Sequence, residues 1–392
     1  MEMATSADKA LSAGPRVRQG SSCQASADVA VRELAEAIDQ PDIGLIIVFV
    51  SINFDLDQLA SALITRFGTV TVIGCTTAGE IGPSGSLEGS LSGVSIHKDD
   101  LAFRVALMDV LPSFDVGAGR LFAHKLKEDL RRQTPDLAPE NTFSFMLIDG
   151  LCGCEEVVTR AFYDGLGGIP LVGGSAGDNG EFKKTWLLYD GRFVSNAALL
   201  LVASTPFIFD VFKTQHFLST EARMIVTRAI PEKRIVTEIN GCPAAEEYAA
   251  AVGIELDRLN SMVFAAHPVV VRIGDTDFVR SIQKMNPDGS LTFYCAIDEG
   301  IVFKVAKGVD MIDNLQETLA AITYRIGEPS LILGCNCILR DLEAKQRGFR
   351  PQVGALLAEH KVIGFNTYGE QYAGMHINQT FSGVALGRRR RF

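Results

Sequence analysis

The sequence predicts an α/β protein of two domains, built on repeated strand-helix-strand units that end in glycine-acid turns, with added antiparallel strands in the second domain. Three observations lead there. A short motif occurs three times: Val72-Ile73-Gly74-Cys75-Thr76-Thr77-Ala78-Gly79-Glu80, then one residue shorter as Leu171-Val172-Gly173-Gly174-Ser175-Ala176-Gly177-Asp178, then Val362-Ile363-Gly364-Phe365-Asn366-Thr367-Tyr368-Gly369-Glu370. Each copy follows an apolar run (Leu45 to Val50, Phe143 to Ile148, Leu331 to Leu333) and a helix-compatible segment. Each is followed by a further strand-like stretch, Leu91 to Ile96, Ser195 to Leu200 or Phe381 to Leu386. A crossover of this length favours parallel strands with a right-handed connection, which puts the three turns beyond the carboxyl ends of strands, where α/β sheets usually bind ligands. Glycine at such a turn lets a ligand approach the backbone.

Composition narrows the function classes. A chain of 392 residues with 47% hydrophobic content can bury a large core. With a formal net charge of -10 it lacks the clustered excess of Lys and Arg that nucleic-acid binding requires. Only Arg388 to Arg391 forms such a cluster, and a solvated basic tail over 388–392 is the expectation. No run approaches the roughly 20 apolar residues of a membrane span, and no secretion signal stands at the start, so a cytoplasmic location is expected. Eight cysteines in a core-rich chain read as reduced thiols.

Residues 1–24, small and polar, read as a disordered tail. Ala27 to Asp39 places Val31, Leu34 and Ile38 on one helical face; Leu56, Leu59, Leu63 and Ile64 form the core stripe of the first crossover helix. Phe103 to Val110 reads as a strand and Gly119 to Arg132 as a helix with basic residues at its negative pole. In the second unit, Glu155 and Glu156 open a helix that carries Val158, Phe162 and Leu166, and Tyr189 to Phe193 is a hairpin signal. Composition shifts near Pro206, which sets a boundary between domains 25–205 and 206–387. Met224 to Ala229, Arg234 to Ile239, Phe278 to Lys284 and Leu291 to Ile297 then read as strands, and Met311 to Ile326 as a helix before the third unit.

The turns hold the best polar candidates. Thr76, Thr77, Glu80, Ser175, Asp178, Thr367 and Glu370 either bind a ligand or accept hydrogen bonds that stabilise their own turns. The glycines match neither the dinucleotide fingerprint nor the P-loop. Cys152-Gly153-Cys154 and Cys335-Asn336-Cys337 sit at equivalent places, so their four thiolates could converge on a metal or act as redox pairs. No nucleophile has a histidine base nearby in sequence, so a binding protein rather than an enzyme is expected.

Val72 to Glu80, Asp149-Gly150-Leu151, Val172 to Asp178, Val226 to Ala229, Ile239 to Ala244, Val279-Arg280-Ser281, Asp288-Gly289-Ser290, and Gly369-Glu370 with Asn378-Gln379-Thr380 resemble the FIST family of sensory proteins. The resemblance runs from about Val29 to Gly387, as an N-terminal and a C-terminal FIST domain. It implies a signal-input module for small ligands, amino acids among them. One branch resembles nitric-oxide-sensing haem proteins, which bind haem b and modulate a histidine kinase in a two-component system. Within that resemblance His216 is the first choice of axial ligand and His267 the second, with His376 third and His97, His124 and His360 as surface positions. Haem-free sensing of an amino acid through the turn residues, and a thiol or metal protein built on the Cys pairs, stand as alternatives. A homo-oligomer is left open.

Overall fold

The parallel pairs expected from the strand-helix-strand spacing are present in all three copies. In the computed structural model, which describes residues 14–109, 113–274 and 276–390, Leu45–Ser51 lies parallel to Thr71–Thr77, Ser144–Ile148 to Leu171–Ser175, and Ile332–Cys337 to Val362–Thr367. Each pair is the centre of a six-stranded sheet of one design, with an edge strand, the closing strand of the repeat, the parallel pair, and a two-stranded hairpin. The first sheet runs Val17–Ser22, Leu91–His97, Ile43–Ser51, Thr71–Thr77, Leu187–Tyr189, Arg192–Val194. The second runs Ala102–Asp109, Ala197–Ser204, Thr142–Ile148, Leu171–Ser175, Glu370–Tyr372, Met375–Ile377, and the third Phe207–Thr214, Phe381–Arg389, Leu331–Cys337, Val362–Thr367, Glu80–Gly82, Gly85–Leu87.

The hairpin that extends each sheet comes from a different copy. Leu187 and Leu188, after the second turn, pair with Cys75 and Gly74 of the first sheet. Glu370 to Tyr372, after the third turn, pair with Gly174 to Val172 of the second. Glu80 and Ile81, after the first turn, pair with Phe365 and Gly364 of the third. The exchange closes into a three-membered cycle.

Strand residues alternate between two buried faces, which is why the central strands read as continuous apolar runs. Ile46, Val48 and Val50 face the helices Ala27–Ile38 and Leu56–Phe67. Leu45, Ile47 and Phe49 point the other way, into a core shared with Phe143, Phe145, Leu333 and Phe365. Phe49 and Phe365 stack there at 4.8 Å.

The repeated glycine serves this packing. A Cβ on Gly74 would lie 2.1 Å from the Val48 carbonyl oxygen, one on Gly173 2.0 Å from that of Met146, and one on Gly364 1.9 Å from that of Gly334. Each strand lies too close to its parallel neighbour for a side chain. Close approach of a ligand is therefore not what these glycines provide. Gly79 (φ +125°) and Gly369 (φ +154°) are required for a second reason, the positive φ of the turns.

Three boundaries differ from the sequence reading. Within the expected tail 1–24, Val17–Ser22 is an edge strand paired with Leu91 to Ile96; its alternating burial pattern is short and carried by small residues, and residues 1–13 lie outside the described chain. The basic tail 388–392 begins inside a strand, Phe381–Arg389, and Arg390 donates to the carbonyls of Pro206 and Phe207; Arg391 and Phe392 lie outside the described residues. The compact units do not meet at 205/206. One comprises the described chain up to Lys213 with Leu315–Met375 and the segment from Phe381 on, so all three repeats belong to it; the other comprises Thr214–Asn314 and His376–Thr380.

The second unit is an insertion within the third repeat, between its edge strand and the helix Met311–Ile326. It carries an eight-stranded antiparallel sheet whose longest strand is Phe217–Ile230, covered by the helices Ala244–Val252 and Ser261–Ala266. Its core holds Met224, Val236, Tyr248, Phe264, Phe293 and Phe303, with the Tyr248 hydroxyl donating to the His267 carbonyl at 2.7 Å. The α/β class with added antiparallel strands is thus the observed one.

Candidate functional site

The three turns meet, and they bond to one another in the same cycle as the hairpins. Ala78 N–H donates to the Asn366 carbonyl (2.9 Å) and Asn366 N–H to Gly79 (2.7 Å); Tyr368 N–H donates to Ser175 (3.1 Å) and Ser175 N–H to Gly369 (2.8 Å). Gly177 N–H donates to Thr76 (2.9 Å) and Asn179 N–H to Thr77 (3.0 Å), closing the ring. Thr76 also fixes the second hairpin, accepting at its hydroxyl from Trp186 N–H at 3.0 Å.

All seven turn candidates are brought together here, and all are buried: Thr76, Thr77, Glu80, Ser175, Thr367 and Glu370 show no exposed surface, and Asp178 only 2%. Their side chains bond the hub itself. The Thr77 and Thr367 hydroxyls donate to Glu80 and Glu370, and the second oxygen of Glu80 accepts from Ser90 N–H (3.0 Å) and its hydroxyl (2.7 Å). Burial pushes the Glu80 carboxyl above the usual carboxylate range, opposed by the Thr77 and Ser90 hydrogen bonds. Asp178 accepts from the backbone N–H groups of Phe182 (2.8 Å), Lys183 (2.6 Å) and Lys184 (2.8 Å), and from the Tyr368 hydroxyl. The Tyr368 ring stacks on Phe182 at 4.3 Å.

Tyr368 was not singled out as a site residue, although the sequence carries a signal for it. It stands where the first copy has Ala78, and its partner Asp178 stands in the one copy with a shortened turn and Asp in place of Glu. The two departures from the repeat bond to each other. Beneath the third turn Arg340 is fully buried, its Nε donating to Asn336 Oδ1 at 3.2 Å, and burial lowers its pKa to about 10.

The open site lies at the other end of the first sheet. A cleft of about 800 Å³ runs along the amino ends of the parallel strands at Gly44, Thr71 and Val72, bounded by Phe103 to Val105 on one side and by the swapped hairpin Leu188 to Gly191 on the other. Leu63, Val70, Leu101 and Phe103 are among its apolar lining residues, while Lys98, Arg104 and Asp190 supply two cations and an anion. Arg104 is oriented by the Phe103 carbonyl (2.9 Å) and Gln133 Oε1 (2.6 Å), and Lys98 pairs with Asp42 at 2.8 Å, which raises the Lys98 pKa. None of these residues was a sequence candidate, because the lining draws on positions 44 to 191 and no local motif marks it. The carboxyl ends, where the sequence reading placed the ligand, are closed by the bonds between turns.

The histidines expected as haem ligands have different surroundings. His216 is fully buried, and its ring lies 4.2 Å from that of Phe217. His267 is the C-cap residue of the short helix Ser261–Ala266 and partly buried; His376 is buried, with its carbonyl accepting from Arg280. His97, expected at the surface, is buried beside Arg16 and Asp100, where its Nδ1 accepts from Asp99 N–H at 3.2 Å. The Cys pairs do not converge either. Cys335 lies in the shared inner core, while Cys154 packs on the helix-covered face of the second sheet, and Cys335–Cys337 ends a strand instead of following one. Among the described residues no group of three or more His, Cys, Asp or Glu stands together as a ligand set.

Residues 44–242 match the FIST N domain and residues 244–373 the FIST C domain. The chain belongs to the FIST family. FIST domains are in general small-ligand-sensing signalling domains. An uncharacterized protein of Methanocaldococcus jannaschii is 28% identical to this FIST protein over 179 residues, 45% of this chain and 34% of its own length. The chain thus spans about a third of that relative. Among solved structures, a cyanuric acid hydrolase is matched over 96% of this chain and 100% of its own, with a TM-score of 0.34 and 10% identity. Another, from A. caulinodans, is matched over 95% and 99%, with a TM-score of 0.35 and 10% identity. The expectation of a non-enzyme is corrected on this point, since the matched structures are those of an enzyme; at such scores they carry no activity to this FIST protein. No helix among the described residues is long and apolar enough to cross a membrane.

Proposed function

We propose that this FIST protein is a small-ligand sensor that binds an amphipathic molecule, an amino acid with an apolar side chain being the best match, in the cleft beside Arg104 and Asp190. The cleft carries the reading: about 800 Å³ lies within the usual range of small-molecule sites, and its lining sets apolar side chains beside Lys98, Arg104 and Asp190, charges of both signs that suit a zwitterion. Its walls come from two repeats, so a bound molecule links the first sheet to the hairpin of the second. A thermal-stability screen of the twenty amino acids tests the proposal. A ligand at about 100 times its Kd stabilises by roughly 2.7 kcal/mol, or about 5–10 °C in a unit of this size. Arg104→Ala should remove the shift without lowering the unliganded Tm; a screen with no shift, or a shift untouched by Arg104→Ala, refutes the site.

The haem and nitric oxide reading rests on the family resemblance. Its test is a haem titration followed by reduction and NO: a saturable, NO-sensitive Soret band that His216→Ala or His267→Ala abolishes would displace the cleft proposal. In either case the expected receiver of the signal is a histidine kinase, and ligand-dependent change in kinase autophosphorylation is the measurement for it.

A further inference from the structure

The strand Ala102–Asp109 ends the second sheet and has a neighbour strand on one side only, Ala197–Ser204. The pairing is unbroken over all eight residues, with no bulge and no proline, so the opposite edge is regular along its length. Natural sheets usually blunt such an edge, because its unpaired N–H and C=O groups accept another strand.

The register decides which groups those are. The Ala197 carbonyl accepts from Asp149 N–H, on the side of Thr142–Ile148. Odd-numbered residues of Ala197–Ser204 therefore bond that strand, and the even-numbered ones bond Met108, Ala106, Arg104 and Ala102. Phe103, Val105 and Leu107 are left with their backbone groups pointing outward. Among the described residues two side chains reach this row, and both take carbonyls: Arg104 Nη1 donates to Phe103 at 2.9 Å, and the Tyr189 hydroxyl to Val105 at 3.4 Å. The three N–H groups have no acceptor among the described residues.

This edge is a wall of the cleft at Phe103 to Val105. The Arg104 guanidinium bonds the Phe103 carbonyl and Gln133 Oε1, and no carboxylate among the described residues pairs with it. At about 800 Å³ the cleft stands in the upper half of the roughly 300–1,000 Å³ usual for small-molecule sites, more room than one amino acid fills.

We propose that the amino acid taken by the cleft is the carboxyl-terminal residue of an extended peptide, whose main chain adds a strand to the second sheet along Phe103, Val105 and Leu107. This rests on the cleft reading and names its ligand class. The peptide runs antiparallel to Ala102–Asp109, the direction that brings its carboxylate to the start of that strand, where Lys98 and Arg104 line the cleft. The peptide residue opposite Val105 exchanges both main-chain bonds with it. Its C=O accepts from Val105 N–H, and its N–H replaces the Tyr189 hydroxyl on the Val105 carbonyl, displacing a bond that is long for its kind. Strand addition draws affinity from the main chain and specificity from the surroundings of alternate side chains, which Leu63, Val70 and Leu101 make apolar.

The test uses the full chain with a panel of tripeptides built from Ala, Val, Leu and Phe, their carboxyl-terminal amides, and the four free amino acids. Affinity is read by thermal shift, and main-chain pairing by residue-resolved amide hydrogen exchange. At least one tripeptide should bind about tenfold tighter than its last residue alone, and about tenfold tighter than its amide, which lacks the charged acceptor. In the free protein Arg104 and Ala106 N–H, bonded to the neighbour strand, should exchange slowly and Val105 and Leu107 N–H quickly; the peptide should slow the second pair. A free amino acid that binds as well as every tripeptide, or tripeptide binding that leaves Val105 and Leu107 exchanging quickly, overturns the strand addition and leaves the cleft reading standing. No shift from any member of the panel overturns both.

Discussion

Asp178→Asn probes the hub with a change of one atom. The aspartate accepts from Phe182 N–H and the Tyr368 hydroxyl at Oδ1, and from Lys183 N–H (2.6 Å) and Lys184 N–H (2.8 Å) at Oδ2. An asparagine keeps one acceptor oxygen and must turn its amide toward the other pair of donors. If the amide replaces Oδ2, two backbone N–H groups lose their acceptor, each at roughly 1–3 kcal/mol when buried. The flanking side chains of residues 181 to 184 are exposed, so water reaches part of this segment and the lower end applies, about 2–3 kcal/mol. In a unit of this size that lowers Tm by roughly 5–10 °C. Trp186 is the only tryptophan and follows the same segment, so its emission reports the local change as well as unfolding. Tyr368→Phe removes both the donor to Asp178 and the acceptor for Gly180 N–H (2.9 Å) and should cost about 1–3 kcal/mol, with a double mutant less destabilised than the sum because the pair is in contact. An Asp178→Asn protein that melts within about 1 °C of wild type, with unchanged Trp186 emission, would show that the nest of N–H groups does not hold the turn.

Three further outcomes follow from the same geometry. Gly173→Ala places a methyl 2.0 Å from the Met146 carbonyl and should prevent folding of the three-repeat unit, a loss above about 4 kcal/mol, seen as insoluble protein or lost near-ultraviolet circular dichroism. Burial raises the Glu80 pKa above 4.5, so as pH climbs from 4.5 towards the folded value the unfolded chain has released a proton that the folded chain still holds, and stability falls; Glu80→Gln should lack that fall in denaturant titrations across the window. Phe182→Ala loses the 4.3 Å stack on Tyr368 from a side chain that is 43% exposed, and should cost only about 0.5–1.5 kcal/mol in urea unfolding.

The repeated turn, the parallel pairs and the helix Met311–Ile326 were legible because each is encoded locally, by a glycine, a hydroxyl residue and an acid at fixed spacing or by an apolar period. Other features were not, for reasons that also have names. Val17–Ser22 is a six-residue edge strand whose only buried positions are Gly20 and Ser22 and whose pairing partner begins 69 positions later, so nothing local marks it. The hairpins extend sheets of other copies, and a swap cannot be read from spacing. The shift of composition at Pro206 is real, but it marks the approach to an insertion and not the end of the repeat unit, which resumes at Leu315. For the turn acids, the sequence left ligand binding and turn stabilisation side by side; complete burial with hydroxyl and backbone donors accounts for their conservation of pattern across the three copies without a ligand.

Asp149 ties the loop after the strand Thr142–Ile148 to the cleft. Its carboxylate accepts from the Thr185 hydroxyl and from Asn196 N–H at 2.6 Å, the two residues that flank the hairpin Leu187–Tyr189 and Arg192–Val194. One side chain therefore gathers both ends of the hairpin whose tip, Asp190 and Gly191, lines the cleft. Cys152 lies three residues beyond Asp149, and Cys152 N–H donates to the Asp149 carbonyl at 3.4 Å. Asp149→Asn, which weakens both anchors of the hairpin, should therefore weaken a cleft ligand by about 5-fold or more, the low end of typical couplings of about 1–3 kcal/mol between distant groups; an unchanged ligand Kd would show that the hairpin tip does not depend on this anchor.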